Sequence, residues 1–81
     1  MDFNTILKQI NDIFTDVLDN EDIKLTPETT AKDVEDWDSL NHIQLIVAIE
    51  KHFKVRFNTG EINSWQNVGE MVTAVEKRLK G

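Results

Sequence analysis

The chain has 81 residues and a formal charge of −6, with 9 lysines and arginines against 15 aspartates and glutamates. At this length a folded chain buries only about 60% of the surface that its unfolded form exposes, enough for one core but not for a deep substrate cavity. We therefore expect one small acidic domain over residues 1–81 and no self-contained enzyme. The absence of cysteine excludes disulfides, thiolate nucleophiles and cysteine-based metal sites.

Hydropathy predicts neither membrane insertion nor export. The longest unbroken apolar run covers residues 45–49, whereas a bilayer-spanning helix needs roughly 20 apolar residues. The first residues lack the basic segment and apolar stretch of a secretory signal. We therefore expect a cytoplasmic protein.

The charge is unevenly distributed along the chain. Residues 1–38 hold eleven acids against three lysines, a net charge of −8, while residues 39–81 hold four acids against six bases, a net charge of +2. Because acidic surfaces repel phosphate backbones and anionic lipids, nucleic acid and membrane surfaces are poor partners and a basic protein surface is a good one. The alternative is that the charge serves only solubility.

The first helix is predicted over residues 2–18, where apolar residues recur at the spacing of one helical stripe. These residues are Phe3, Ile6, Leu7, Ile10, Ile13, Phe14, Val17 and Leu18. Residues 19–37 are predicted to form a long loop, with one short helical turn at Thr26-Pro27-Glu28 because threonine can cap a helix that starts on proline. Its expected anchors in the core are Ile23, Leu25 and Val34.

Asp38 can cap a second helix over about residues 39–53. We expect its inward face to consist of Leu40, Ile43, Val47, Ile49 and Phe53. Residues 53–57 then alternate like a strand without a partner strand, which predicts an extended connector with Val55 and Phe57 turned inward.

Two capping boxes predict two more helix starts. They pair Asn58 with Glu61 and Asn67 with Glu70. The first opens a short helix that carries Ile62 and Trp65, and the second opens a helix over about residues 68–79. The predicted fold is all-α: a small four-helix bundle, with three main helices, a short third helix and a long loop between helices one and two.

Few residues could carry chemistry of their own. No run of acids has the spacing of a calcium loop. His42 and His52 are ten residues apart on one helix and turn to different faces, so we expect solvated histidines and no metal site. Glu35 and Asp36 are adjacent carboxylates without a cleft to hold a substrate, which favours a solvated loop.

Ser39 is the most informative residue. Ser39 and His42 at i and i+3 could be mistaken for a nucleophile and its base, but no third group orients the histidine. The simplest interpretation makes Ser39 an ordinary first residue of a helix. Its position after Asp38, at the positive end of that helix, would nevertheless stabilise a covalently attached phosphate.

The run Asp38-Ser39-Leu40 at a helix start resembles the acyl carrier proteins and related peptidyl carrier domains. The similarity continues through Ile43, Val47, Ile49, Glu50 and Phe53 and covers essentially the whole chain. It implies that a phosphopantetheinyl transferase attaches 4′-phosphopantetheine from coenzyme A to Ser39, with Asp38 and Leu40 flanking the site. The arm would import the thiol that the chain lacks and hold an acyl group as a thioester.

The same resemblance implies the partners. The domain would be a non-catalytic monomer that serves acyl-loading and acyl-transferring or condensing enzymes of fatty-acid, polyketide or other specialised biosynthesis. The docking residues would be Trp37, Leu40, Ile43 and Glu50, and the acyl pocket would be formed by Ile43, Val47, Ile62 and Trp65.

The sequence departs from the fatty-acid carriers in several positions. Asn41, Gln44 and Lys51 stand where acids are usual on helix two, Trp37 replaces a small residue, and Trp65 replaces an aliphatic one. These differences resemble dedicated carriers of specialised pathways. An indole at Trp65 would fill space that a long chain needs, which favours a short or polar cargo, although either tryptophan could simply pack in the core or at its rim.

Two alternatives remain. One is an aminoacyl, D-alanyl or peptidyl carrier, which differs in the enzyme that loads it. The other is a non-covalent interaction module of the same fold, against which the retained Ser39 argues.

Overall fold

Four helices are present in the computed structural model, which describes residues 2–34 and 37–80 except for the side chain of Ser39. They are α1 (Phe3–Val17), α2 (Ser39–Phe53), α3 (Thr59–Ser64) and α4 (Val68–Leu79). Within those ranges there is no strand, and no helix is long and apolar enough to cross a membrane. The all-α four-helix prediction is confirmed. Glu35 and Asp36, predicted to lie in a solvated loop, fall outside the described residues.

Each helix begins where a polar side chain accepts a hydrogen bond from a backbone amide of its first turn. The four pairs are Asp2 with Thr5, Asp38 with Asn41, Asn58 with Glu61, and Asn67 with Glu70. Such a cap typically contributes about 1 kcal/mol. The two predicted capping boxes are only half formed, because the Glu61 carboxylate pairs with Arg78 and the Glu70 carboxylate accepts from the backbone of Gln66.

The core forms around α1, which packs against both α2 and α4. Its fully buried side chains include Ile6, Ile10, Phe14, Leu45, Ile49, Val68, Met71, Val72 and Val75. The loop anchors are as predicted, with Ile23 and Leu25 buried and Val34 packed against the core. Asn11 of α1 binds the loop through two hydrogen bonds. Its side-chain amide donates to the Ile23 carbonyl at 3.2 Å and accepts from the Leu25 N–H at 2.6 Å.

The second half of the loop rests on the start of α4. The amides of Val68 and Gly69 donate to the carbonyls of Thr29 and Pro27, each at 2.8 Å. These carbonyls satisfy first-turn amides that a helix cannot pair internally. The single turn predicted at Thr26-Pro27-Glu28 is present, closed by a hydrogen bond from the Thr29 amide to the Thr26 carbonyl at 3.0 Å. It does not continue into a helix, and two of its carbonyls accept from α4.

The buried stripe of α2 overlaps the predicted one only at Ile49 and Phe53. Leu45, Ile46, Ile49 and Phe53 are buried. Leu40, Ile43 and Val47 are 69%, 64% and 42% exposed, which corrects the expectation that they face the core. The helix is apolar on two sides, and both stripes have helical spacing, so periodicity alone does not indicate which one the other helices cover.

The segment after α2 follows the predicted path with one difference. Lys54 ends the helix in a left-handed conformation, with φ 58°, and Val55 and Phe57 then turn inward as predicted. α3 ends at Ser64, so Trp65 follows the helix in an extended conformation rather than lying on it. The Trp65 ring packs edge-on against Phe57, with ring centroids 5.0 Å apart.

Candidate functional site

The start of α2 is capped by Asp38. Oδ1 of Asp38 accepts a hydrogen bond from the Asn41 amide at 2.8 Å, and the Asp38 carbonyl accepts from the His42 amide at 2.8 Å. Ser39 is the first residue of the helix. Its backbone therefore lies at the positive end of the helix dipole, where an attached anionic group is stabilised.

Trp37 anchors this helix start to the core. Its side chain is 8% exposed and packs edge-on against Phe14 of α1, with ring centroids 4.9 Å apart. The indole N–H donates a hydrogen bond to Nδ1 of His42 at 2.9 Å, and the two rings stack. A buried indole needs such an acceptor for its only donor. Trp37 is thus a core residue, which corrects its prediction as a docking residue.

The two histidines of α2 differ. His52 is exposed, as expected, and its Nε2 is hydrogen-bonded to Oε1 of Gln9 at 2.7 Å. His42 is half-buried, and burial lowers its pKa from the ordinary value because the charged ring is desolvated. His42 is therefore only partly solvated, which corrects its prediction as a solvated surface residue: the Trp37 ring, five residues before it, lies against one side of the imidazole. In the described part of the chain no three His, Asp or Glu side chains are grouped as metal ligands.

An open cleft of about 570 Å³ lies beside the start of α2. Its lining residues are Ala31, Trp37, Asp38, His42, Ile43, Ile62, Asn63, Trp65, Gln66, Asn67 and Met71. This volume falls within the usual range of small-molecule sites, roughly 300–1,000 Å³. The cleft is open rather than deep, which agrees with the expectation that so short a chain has no deep substrate cavity.

The cleft contains most of the predicted acyl pocket. Ile43, Ile62 and Trp65 line it, whereas Val47 does not, because it lies a turn farther along the exposed side of α2. The residues that sequence reasoning missed are Ala31, His42, the buried Met71, and three polar side chains, one on α3 and two in the segment that leads into α4. The polar ones are Asn63, Gln66 and Asn67. Hydrophobic periodicity does not predict the path of the short segment between α3 and α4. Only the structure shows that this segment borders the cleft.

Besides Trp37, the predicted docking residues are Leu40 and Ile43, which are exposed, and Glu50, which is not. Leu40, Ile43 and Val47 form an exposed apolar stripe on α2, hereafter the α2 stripe, that begins one residue after Ser39. Glu50 is half-buried, and its carboxylate accepts the backbone N–H of Phe57 at 2.8 Å. Glu50 thus has a role within the fold that the sequence did not indicate.

Comparisons with known proteins agree with one another. The sequence family described as "Phosphopantetheine attachment site" matches residues 8–75. An acyl carrier protein of Akkermansia muciniphila is 33% identical over 79 residues, covering 95% of this chain and 96% of that one. One of Borreliella burgdorferi is 30% identical over 80 residues, covering 96% and 98%. The solution NMR structure of holo acyl carrier protein from Geobacter metallireducens superposes with a TM-score of 0.87 at 43% identity, covering 93% of this chain and 86% of that one.

Proposed function

Because this chain belongs to the acyl carrier protein family, whose members carry covalently attached 4′-phosphopantetheine, we propose that Ser39 is its attachment residue. The observation that carries the proposal is the position of Ser39: it opens α2 directly after Asp38, which caps the helix and lines the cleft. As a member of this family the protein is a non-catalytic carrier that acts with a phosphopantetheinyl transferase and with biosynthetic enzymes.

The start of α2 fits a phosphodiester. The first amides of a helix have no acceptor within the helix, and a negative charge there is stabilised by about 0.3–1 kcal/mol. In the proposed modification, the Ser39 hydroxyl oxygen bonds to the β-phosphorus of coenzyme A, its proton is lost, and adenosine 3′,5′-bisphosphate leaves. The arm supplies a terminal thiol for thioester formation, which a chain without cysteine does not have.

We propose that partner enzymes dock on the α2 stripe. Isolated exposed apolar residues are ordinary, but three at helical spacing next to the attachment residue form a patch. The polar positions of α2 beside it include Asn41 and Gln44, which are uncharged. Surface ion pairs contribute only about 0–1 kcal/mol each, so apolar contact supplies more of the binding free energy in such an interface. The partners are acyl-loading and acyl-transferring or condensing enzymes, served by residues 1–81 as one monomeric carrier domain in the cytoplasm.

The cleft favours a short or polar cargo. Trp65 forms part of its wall, and Asn63 and Gln66 add amide groups that a long saturated chain cannot use. This composition supports a dedicated carrier of a specialised pathway more than a carrier of long fatty acids. It is equally compatible with an aminoacyl or peptidyl cargo, which would use the same serine with a different loading enzyme.

Intact mass spectrometry tests the attachment. The protein is incubated with coenzyme A and a broad-specificity phosphopantetheinyl transferase, and we expect one added phosphopantetheine. Ser39→Ala should remain unmodified, whereas Ser64→Ala, which removes the other serine of the chain, should be modified like the wild type. An unmodified wild-type protein, or an adduct that survives Ser39→Ala, would contradict the proposal and favour a non-covalent interaction module.

A further inference from the structure

We propose that His42 positions the group tethered to Ser39 by donating a hydrogen bond from Nε2–H into the cleft. This inference rests on the proposed attachment at Ser39. The acceptor it predicts is a carbonyl oxygen, which either the amides of the arm or the acyl group can provide.

The first step is the tautomer of His42. An indole N–H is a donor only, so the Nδ1 that receives it must carry a lone pair, and the proton of the neutral imidazole is then on Nε2. Trp37 is buried against Phe14 and is itself held in place. A core residue therefore fixes the tautomer of a residue that lines the cleft, in the way that a hydrogen bond at one ring nitrogen sets the role of the other.

The second step is the availability of Nε2. Among the residues that the structure describes, none pairs with this nitrogen, and the His42 side chain has no hydrogen bond or ring contact other than those with Trp37. The same residues include no buried side-chain nitrogen or oxygen that lacks a partner, so Nε2 is accessible to solvent. Its donor is thus free for a ligand.

The third step is location. His42 follows Ser39 by three residues, which places both on one side of α2, a turn apart. Side chains of a helix lean towards its N-terminus, so the imidazole leans towards the attachment residue. Asn63 and Gln66 border the same cleft. A tethered group that enters the cleft therefore meets a fixed donor beside its point of attachment.

Nitrogen-detected NMR of histidine-labelled protein tests the proposal. In the unmodified protein we expect His42 to be the pure Nε2–H tautomer, and Trp37→Phe should release it to a mixture of tautomers. Addition of the arm, or of the arm with an acyl group, should move the Nε2-bound proton downfield and slow its exchange with water. His52, on the same helix but outside the cleft, is the internal control and should not change.

Three loaded states distinguish the source of the oxygen. These are the arm alone, the arm with a saturated acyl group, and the arm with a 3-oxo acyl group of equal length. If the His42 proton resonance has moved fully with the arm alone, the acceptor is a carbonyl of the arm. If it moves further only with the 3-oxo group, the acceptor is a carbonyl of the cargo. No shift of His42 in any state, in protein shown by mass to be modified, overturns this inference and leaves the attachment intact. Unmodified Ser39 overturns the attachment.

A second variant separates positioning from packing. His42→Phe keeps a ring to stack on Trp37 but has no nitrogen, while His42→Gln retains a donor. We expect nuclear Overhauser contacts between the arm and the Ile62 and Met71 methyl groups in wild type, their loss in His42→Phe, and at least partial recovery in His42→Gln. His52→Phe should behave like wild type. Equal contacts in His42→Phe and wild type would overturn the proposal.

Discussion

The backbone N–H of Phe57 donates a hydrogen bond to the carboxylate of Glu50 at 2.8 Å, so the last turn of α2 holds the connector that follows it. Phe57 in turn packs edge-on against Trp65, which lines the cleft. Glu50 is thus linked to the cleft through two contacts, although it lies far along the helix from Ser39.

Removing the Glu50 carboxylate should destabilise the fold. A hydrogen bond to a charged group contributes about 1.5–3 kcal/mol, so we expect Glu50→Ala to lower the free energy of unfolding by that order. Glu50→Gln keeps an acceptor and should lose less. Urea unfolding measures both. A Glu50→Ala protein as stable as the wild type, yet inactive in acyl transfer, would instead support the docking role predicted from the sequence.

Gly69 should not tolerate a side chain. A Cβ at this position would lie 2.8 Å from the carbonyl oxygen of Pro27, the same carbonyl that accepts the Gly69 amide. We expect Gly69→Ala to destabilise the protein by roughly 1–3 kcal/mol, the usual cost of overpacking.

Gly60 provides the matched control for Gly69, because each is the second residue of its helix after an asparagine cap. A Cβ on Gly60 would meet only the Asn58 side chain, at 3.5 Å. Gly60→Ala should therefore be neutral or stabilising by up to about 1 kcal/mol. Thermal melts of the two variants, compared with wild type, check the difference. Equal changes in thermal midpoint in the two variants would mean that the loop does not approach α4 closely enough at Gly69 to exclude a Cβ.

Acidification should weaken the fold through His42. Its pKa is lowered in the folded state by burial, so the folded protein binds this proton less readily than the unfolded chain does. The contribution of His42 to the free energy of unfolding is complete above the ordinary histidine pKa of about 6.5. It is lost as the pH falls through the lower pKa that His42 has in the folded protein. Protonated Nδ1 would also face the Trp37 donor. Among the described residues that line the cleft, Asp38 is the one carboxylate.

The measurement is the free energy of unfolding between pH 7.5 and pH 5 in wild type, His42→Phe and His52→Phe. We expect the decrease to be smaller in His42→Phe, because this variant has no ring to protonate, and unchanged in His52→Phe. Identical pH profiles in all three proteins would show that His42 does not contribute.

The sequence predicted the helices well because their starts depend on local chemistry. Asp38, Asn58 and Asn67 cap the helices that they were expected to cap, since a cap needs only a side-chain oxygen and a nearby amide. The inward face of α2 was predicted correctly at Ile49 and Phe53 but wrongly at its first three apolar residues, because burial there depends on which stripe the other helices cover. The hydrogen bond and ring contact between Trp37 and His42 could not be predicted from the sequence, because they join a loop residue to a helix residue.

The α2 stripe should matter for transfer and not for stability. Leu40→Ala changes a 69% exposed side chain, so we expect less than about 0.5 kcal/mol of destabilisation. In a docked complex the same truncation should cost about 1–2 kcal/mol, or roughly 5- to 30-fold in acyl transfer. Leu79→Ala, at the other exposed leucine, is the control and should transfer normally. Normal transfer by Leu40→Ala would place docking elsewhere.

The length of the acyl chain should be limited by Trp65. A group that binds the folded protein in the cleft raises its stability, so the thermal midpoint should rise as the chain fills the available space. The Trp65 ring is held against Phe57, and displacing a packed side chain costs roughly 1–3 kcal/mol. We therefore expect the midpoint to rise for short acyl groups and then to level off.

In Trp65→Leu the thermal midpoint should keep rising with longer acyl chains, because leucine is smaller than the indole and leaves more space in the cleft. Loading wild type and Trp65→Leu with saturated acyl groups of increasing length, and recording thermal midpoints, checks the comparison. The fluorescence of Trp65 shows whether its ring moves. It is obtained by subtracting the emission of Trp65→Phe, which comes from the buried Trp37, from that of the wild type. If wild-type stability rises steadily to long chains while Trp65 emission stays constant, the cleft accepts them without moving the indole and the cargo is not restricted by this residue.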